Sequence, residues 1–177
     1  MKSQGSPNGA QQRGLPPVLA SDTRVLILGS FPGTASLAAR QYYAHPRNAF
    51  WPILAELVAE PLVSMAYETR LARLLAHRIG LWDTIVVCTR NGSLDADIRD
   101  ATRAEVGVVR RLAPNVEIVC FNGNMAARAQ PLWRDAGYET VALPSTSPAY
   151  TRAFAEKLAA WKVIGAHLLH GTRRLAG

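Results

Sequence analysis

The chain has 177 residues, 49% of them apolar, and a formal charge of +7. That length suits one domain able to bury a core without disulfides or metal, and no segment has the uncharged length needed to cross a bilayer. A basic domain attracts polyanions, so nucleic acid is the first partner to consider, but the charge comes from 17 scattered Arg and only 3 Lys, which by itself makes DNA plausible and no more.

Residues 1–14 are polar and rich in Gln, Gly and Ser, with no apolar signal segment, so a flexible tail is expected ahead of a single domain over residues 15–177 in a soluble, cytoplasmic protein. Residues 23–29 form an apolar run ending in Gly29, the pattern of a buried parallel strand. A Gly-Ser-Phe-Pro-Gly turn follows, then a short helix over residues 36–40 and a longer one over residues 50–59, with Asn48 in reach of an N-cap role. Leu71, Leu74, Leu75 and Ile79 recur at helical spacing and predict a helix over residues 68–78 that Gly80 ends. Residues 83–88 read as a second buried strand and residues 89–97 as a polar loop. A helix over residues 102–112 stops before Pro114, and a third strand covers residues 116–121. A helix over residues 125–136, a strand over 138–143, a Pro-Ser-Thr-Ser-Pro loop and a terminal helix over 153–169 complete the chain.

Strands alternating with helices and buried on both faces predict a three-layer α/β/α sandwich around a four-stranded parallel sheet. Ligands of such sheets bind at the carboxyl ends of the strands. The loops at residues 29–48, 89–97, 122–124 and 144–150 are therefore expected to meet on one edge. Neither a P-loop nor a GxGxxG follows the first strand, which disfavours a nucleotide-binding enzyme. Cys88 and Cys120 each sit in an apolar run and read as core residues; with no CxxC pair or His/Cys cluster, a metal site is not expected.

The first loop carries the densest chemistry. Gly29-Ser30-Phe31-Pro32-Gly33 fixes a tight turn whose backbone can approach a ligand. Beyond it, Tyr42, Tyr43, His45, Arg47, Asn48, Phe50 and Trp51 stand within ten residues. Aromatics there can stack on a flat base and Arg47 can hold a phosphate, although an aromatic mini-core under the first helices explains the same residues. In the last loop, Ser145, Thr146 and Ser147 between two prolines offer hydroxyls and N–H groups suited to phosphate oxygens; an ordinary N-cap at Ser147 or Thr151 is the plainer alternative. Ser93 and Asp95 are candidate readers of a base edge or turn residues, and Asn122 and Asn124 flank Gly123 where helix capping is the first expectation.

Taken together, the strand–GxxPG turn, GLWD, the FNGNMA segment and PSTSPAYTRAF resemble the uracil-DNA glycosylase superfamily. More narrowly, GSFPGTASL followed by QYYAHPRNAFWPIL resembles its hypoxanthine-DNA (deoxyinosine) glycosylase branch, over nearly everything but the tail. The resemblance implies hydrolysis of an N-glycosidic bond in DNA, without metal or cofactor, after the base is flipped from the duplex. The superfamily offers Asp or Asn at the third position of GxxPG; Phe31 stands there and can neither accept nor donate a proton. The water-positioning role then passes to Asn48, with His45 as the alternative, since imidazole is the usual acid–base group near neutral pH.

Leu143 occupies the position from which the superfamily usually assists the departing base. The resemblance carries strand contact to Pro32, Gly33, Arg47, Ser145, Thr146, Ser147 and Tyr150, with a side chain of residues 148–150 filling the gap left by the flipped nucleotide. The candidate base pocket is Gly29, Ser30, Phe31, Tyr43, Ser93 and Asp95, with Tyr43 or Phe31 to stack on the base and Ser93 and Asp95 to read its edge. Lys2, Lys157 and Lys162 are the only lysines and none belongs to the loop cluster, so water rather than a Schiff-base lysine is the expected nucleophile. Hypoxanthine is the expected base, with uracil the alternative; Phe31 and Leu143 also admit a non-catalytic nucleic-acid binder on the same scaffold. A monomer is expected.

Overall fold

A computed structural model describes residues 10–170. In chain order the strands are β1 (Gln11–Arg13), β2 (Val25–Gly29), β3 (Ile79–Asp83), β4 (Ile85–Thr89), β5 (Arg99–Arg103), β6 (Ile118–Asn122) and β7 (Glu139–Leu143). The α-helices are α1 (Thr34–Ala39), α2 (Phe50–Val58), α3 (Tyr67–Ala76), α4 (Val106–Leu112), α5 (Asn124–Ala127), α6 (Gln130–Asp135), α7 (Phe154–Trp161) and α8 (Val163–His170).

The central sheet is four-stranded and parallel throughout, in the order β3-β2-β6-β7. Every residue of β2, β3 and β6 is buried, as continuous apolar runs in a doubly covered sheet require. The two-residue period then sorts them. Val25, Ile27, Ile79, Leu81, Ile118 and Cys120 face a core completed by Phe50, Ile53 and Leu54 of α2, Leu74 of α3, Trp161 of α7 and Ile164 of α8. Leu26, Leu28, Trp82, Val119 and Phe121 face the opposite core with Val109 of α4, Ala126 of α5 and Trp133 of α6. Three layers result, and both cysteines are buried free thiols.

The second parallel strand is displaced from its expected place. Residues 79–83, not 83–88, pair with β2, and the chain turns at Thr84 so that β4 joins β1 and β5 in a separate antiparallel sheet. The apolar string from Ile79 to Cys88 is unbroken except at Asp83-Thr84, so pattern alone places the boundary badly. Gly80 does not end a helix: α3 stops at Ala76, Arg78 takes the left-handed conformation (φ 61), and Gly80 lies inside β3. A Cβ there would lie 2.7 Å from Leu19 Cδ2 and 2.9 Å from Thr23 Cγ2, because the segment bridged to β3 at Val18 presses on it.

Three helices are shorter than their patterns suggest. Residues 99–103 form β5 against β4, so α4 begins only at Val106. The helix expected over residues 125–136 divides into α5 and α6, with Pro131, which has no N–H to donate, in the first turn of α6. The terminal helix divides at Lys162 into α7 and α8. Of the stretch expected as a tail, residues 1–9 lie outside the described residues, whereas Gln11–Arg13 pair with Val87, Cys88 and Thr89. Among the described residues no helix is long and apolar enough to cross a membrane.

Candidate active site

The loops that follow β2, β4, β6 and β7 converge at the carboxyl edge of the sheet around a cleft of about 500 Å³. The first loop forms one wall from Gly29 to Ser36 and returns with Tyr42, Tyr43, His45 and Asn48. Ser93, Leu94 and Asp95 close a second side, and residues 145–150 close a third, with Asn122 and Asp83 at the strand ends beneath. Every site residue expected from sequence lines this cleft except Arg47, which lies in an adjoining groove with Arg152, Lys157 and Phe154; Asn48 and Tyr150 border both.

Hydrogen bonds hold the loops to one another. Ser30 Oγ donates to the Asp95 carboxylate at 2.8 and 2.7 Å, and Ser93 Oγ accepts from Thr34 N at 2.9 Å and pairs with the Thr34 hydroxyl. The polar atoms of Ser93 and Asp95 thus tie the 91–97 loop to the first loop. Burial raises the Asp95 pKa, against the lowering effect of the Ser30 hydrogen bond and of Arg90. Arg90, 2% exposed, donates to the Pro32 carbonyl at 2.6 Å, and its guanidinium lies 4.9 Å from the centre of the Phe31 ring. It holds the Phe31 turn from behind, on a small core shared by Phe31, Ile85 and Cys88.

The aromatics form both a packed core and a cleft wall. Tyr43 stacks on Phe50 at 3.8 Å, and Phe50 meets Trp51 and Trp161 edge-on. Tyr42 donates its hydroxyl to the Pro16 carbonyl at 2.9 Å, and its own carbonyl accepts from Trp51 Nε1 at 3.0 Å. Tyr43 sits at φ 56, a left-handed conformation uncommon for a bulky side chain and found where surrounding structure over-determines a residue.

Asn48 Oδ1 accepts the Phe50 N–H at 3.0 Å at the start of α2, while its backbone N–H donates to the His45 carbonyl at 2.9 Å. The N-cap of α2 is Ala49, so Asn48 is not the N-cap expected from sequence; its bond to Phe50 braces the first turn from one residue earlier. That bond uses one lone pair of a carbonyl that has two, and the residue remains part-exposed in the cleft. His45 Nδ1 accepts from Arg47 N at 3.1 Å, which assigns the ring proton of the neutral tautomer to Nε2.

The last loop is braced from two sides. Thr146 is 1% exposed; its hydroxyl accepts from Asn122 Nδ2 and its N–H donates to Asn122 Oδ1, both at 2.9 Å, while its carbonyl accepts from Ala49 N at 2.9 Å. The Thr146 side chain is thus a buried fastener and not a phosphate contact. Ser145 and Ser147 accept from backbone N–H groups two residues on, leaving their hydroxyl protons free to donate. Lys157 is a correction to the expectation that no lysine reaches the loops: its Nζ donates to the carbonyls of Tyr150 at 2.6 Å and Ser147 at 3.3 Å. It borders the adjoining groove and not the cleft. Neither Ser147 nor Thr151 caps α7, whose N-cap is Ala153 without a side-chain bond.

Sequence reasoning missed two residues. Asn122 and Asn124 were expected to cap a helix, but the N-cap of α5 is Gly123 at φ 94, where a Cβ would also stand 3.0 Å from Ser145 Cβ, and Asn122 turns into the site. Asp83, the last residue of GLWD, is 4% exposed at the cleft floor. Its Oδ2 is a buried atom with no partner, and so is the Tyr43 hydroxyl. Burial, then the nearby Asp95 charge, push its pKa up to about 8, with Arg90 pulling the other way. Its place at the carboxyl end of a buried strand was the available signal. Leu143, by contrast, is 5% exposed and belongs to the core. Among the described residues no group of three or more His, Cys, Asp or Glu is placed to hold a metal ion.

A parallel sheet whose carboxyl-edge loops enclose an aromatic-walled cleft beside a basic groove defines an α/β protein with its candidate site at the strand ends. The sequence profile described as the Uracil DNA glycosylase superfamily matches residues 16–165. A Methanosarcina barkeri protein named hypoxanthine DNA glycosylase is 38% identical over 151 residues, covering 85% of this chain and 96% of that one. A Methanosarcina acetivorans protein of the same name is 39% identical over 156 residues, covering 88% and 99%. A solution NMR structure from Methanosarcina acetivorans, described as a uracil DNA glycosylase, superposes with a TM-score of 0.83 at 39% identity over 91% of this chain and all of the other. The chain belongs to the uracil-DNA glycosylase superfamily.

Proposed function

We propose that the protein is a monofunctional DNA glycosylase that hydrolyses the N-glycosidic bond of hypoxanthine in DNA, in base excision repair. The observation that carries this reading is the position of Asn48, with one carbonyl lone pair unused, on a cleft roomy enough for a flipped base and lined by Phe31 and Tyr43. A sugar–base bond cannot be reached inside a duplex, so the nucleotide turns out of the stack into the cleft. Asn48 Oδ1 then holds a water toward C1′. An amide is too weak a base to remove a proton outright, and that suffices when the bond breaks ahead of attack through an oxocarbenium-like state. The C1′–N9 electron pair leaves with the base, the water oxygen bonds to C1′, and its proton passes to the base through solvent.

Ser145, Ser147 and Arg47 are assigned to the phosphates on either side of the flipped nucleotide, with Arg152 extending the groove. Tyr150 is 41% exposed between cleft and groove and is assigned to the gap left in the stack. The enzyme is proposed to act as a cytoplasmic monomer without a cofactor, as one domain.

The test is base release from labelled oligonucleotides holding one hypoxanthine, one uracil or neither, with alkali to cleave abasic sites. Cleavage at hypoxanthine supports the reading. Cleavage at uracil alone keeps the class and changes the base. Salt-sensitive binding without cleavage replaces the enzyme by a binder that Phe31 and Leu143 would suit.

A further inference from the structure

The proposed reaction leaves one feature of the cleft unused. Gly29, Asp83 and Tyr43 meet at its floor: a Cβ on Gly29 would overlap Asp83 Oδ1 and lie 3.2 Å from the Tyr43 hydroxyl. Only glycine lets the two polar groups stand together there. The Tyr43 hydroxyl and Asp83 Oδ2 are buried atoms, and both residues line the cleft. The neighbouring Tyr42 hydroxyl is already bonded to the Pro16 carbonyl, whereas the Tyr43 hydroxyl and Asp83 Oδ2 have no partner. Buried polar atoms left unpaired are costly, and where they line a cleft a ligand is the natural partner.

We infer that the Asp83 carboxyl and the Tyr43 hydroxyl form a paired donor site for the N7 and O6 acceptors of a flipped 6-oxopurine. This rests on the reading of the cleft as a base pocket given above. Hypoxanthine presents the same N7 and O6 pair that guanine shows in the major groove, and uracil has no counterpart to N7. A carboxyl can donate only when protonated. The groups around Asp83 favour that state: burial is the largest influence, Asp95 adds to it, Arg90 opposes it, and the carboxyl is held up to about 8. Tyr43 stays protonated as well, raised by burial and then by Asp83, with the Asn122 amide acting the other way. As the C1′–N9 bond breaks, negative charge spreads through the purine to N7, so a donor there binds the transition state more tightly than the substrate. That supplies the help to the leaving base which Leu143 cannot give.

The test compares equilibrium binding of oligonucleotides carrying 2′-fluoro-2′-deoxyinosine or its 7-deaza counterpart, which lacks the N7 acceptor. Near pH 6.5 the wild type is expected to bind the inosine strand about ten-fold more tightly, the worth of one buried hydrogen bond. Near pH 9.5 the preference shrinks as Asp83 ionises, roughly a unit and a half above its folded value. Asp83→Asn keeps an N–H donor and so keeps the preference at both pH values. Asp83→Ala or Tyr43→Phe, whichever removes the donor facing N7, abolishes it; melting curves report whether each variant is folded. Equal binding of the two strands by the wild type, which needs no variant, overturns the pairing, as does a preference that survives in both Asp83→Ala and Tyr43→Phe. Equal binding with hypoxanthine excision intact sinks this site alone. A preference without any excision sinks the proposed activity and leaves the site standing.

Discussion

Replacing Asn122 by Ala removes both bonds that join the end of β6 to the last loop: the donor to Thr146 Oγ1 and the acceptor of the Thr146 N–H, each at 2.9 Å. Both residues are buried, Asn122 at 9% and Thr146 at 1%, so the substitution leaves the Thr146 N–H without a protein partner. An unpaired buried N–H costs ~1–3 kcal/mol and a lost side-chain bond ~1 kcal/mol, for a total of roughly 2–4 kcal/mol. For a domain of this size each kcal/mol lowers Tm by about 2–4 °C, so a drop of roughly 5–15 °C is expected in a thermal melt. Thr146→Val is the informative partner, because it loses the hydroxyl while its backbone N–H still reaches Asn122 Oδ1. Its loss should be smaller by at least about 1 kcal/mol. The Thr146 carbonyl also accepts from Ala49, next to Asn48, so excision should fall in Asn122→Ala by more than the unfolded fraction explains. A Tm within about 2 °C of wild type, or Thr146→Val as damaging as Asn122→Ala, would show that these two bonds do not hold the last loop.

Further outcomes follow from the same geometry. Gly29→Ala puts a methyl group onto the Asp83 carboxyl at the cleft floor, so excision should be lost at saturating DNA while circular dichroism still reports a folded protein. Asp83 has a folded pKa raised to about 8, so the native state holds a proton that the unfolded chain has released. The associated stability is complete below the unfolded carboxyl value near 4 and is lost as pH rises toward about 8. Asp83→Asn should therefore melt above wild type at pH 8 and close to it at about pH 4, and a constant offset between the two curves would contradict this. Lys157→Met removes the donor to the Ser147 and Tyr150 carbonyls from a groove-lining position. Weaker DNA binding with a raised KM is expected, and an unchanged KM would show that the brace is not needed.

The sequence was most informative where residues answer to local rules. The run Val25–Gly29 alternates between two cores and needs burial on both faces, so its strand and the three-layer sandwich are readable from the pattern alone. Three of the four loops at the carboxyl edge follow β2, β6 and β7 and so follow from strand direction, whereas the 89–97 loop arrives from β4 of the antiparallel sheet. What escaped was decided by contacts distant in the chain. The string from Ile79 to Cys88 has one composition, yet β3 pairs with β2 in one sheet while β4 pairs with β1 and β5 in another. Arg99–Arg103 is polar and fully exposed, and only pairing with β4 makes it a strand. Asn122 looked like a cap because Gly123 and a helix follow, but its partner Thr146 is 24 residues away. Asp83 carried no local sign of being unpaired. Phe31 and Leu143 were legible as departures; both pack in cores, and of the two only Phe31 also lines the cleft.

The central claim is that Asn48 positions the water that displaces the base. Single-turnover release of hypoxanthine from duplex DNA, by wild type and Asn48→Ala side by side, tests it most directly. The substitution also removes a first-turn bond to Phe50, worth about 1 kcal/mol of stability, so both proteins are assayed well below their melting temperatures. The account predicts a fall in rate of about 10²-fold or more with DNA binding retained, the scale expected when a positioned reactant is lost. An Asn48→Ala rate within a few-fold of wild type would contradict it and transfer the role to His45.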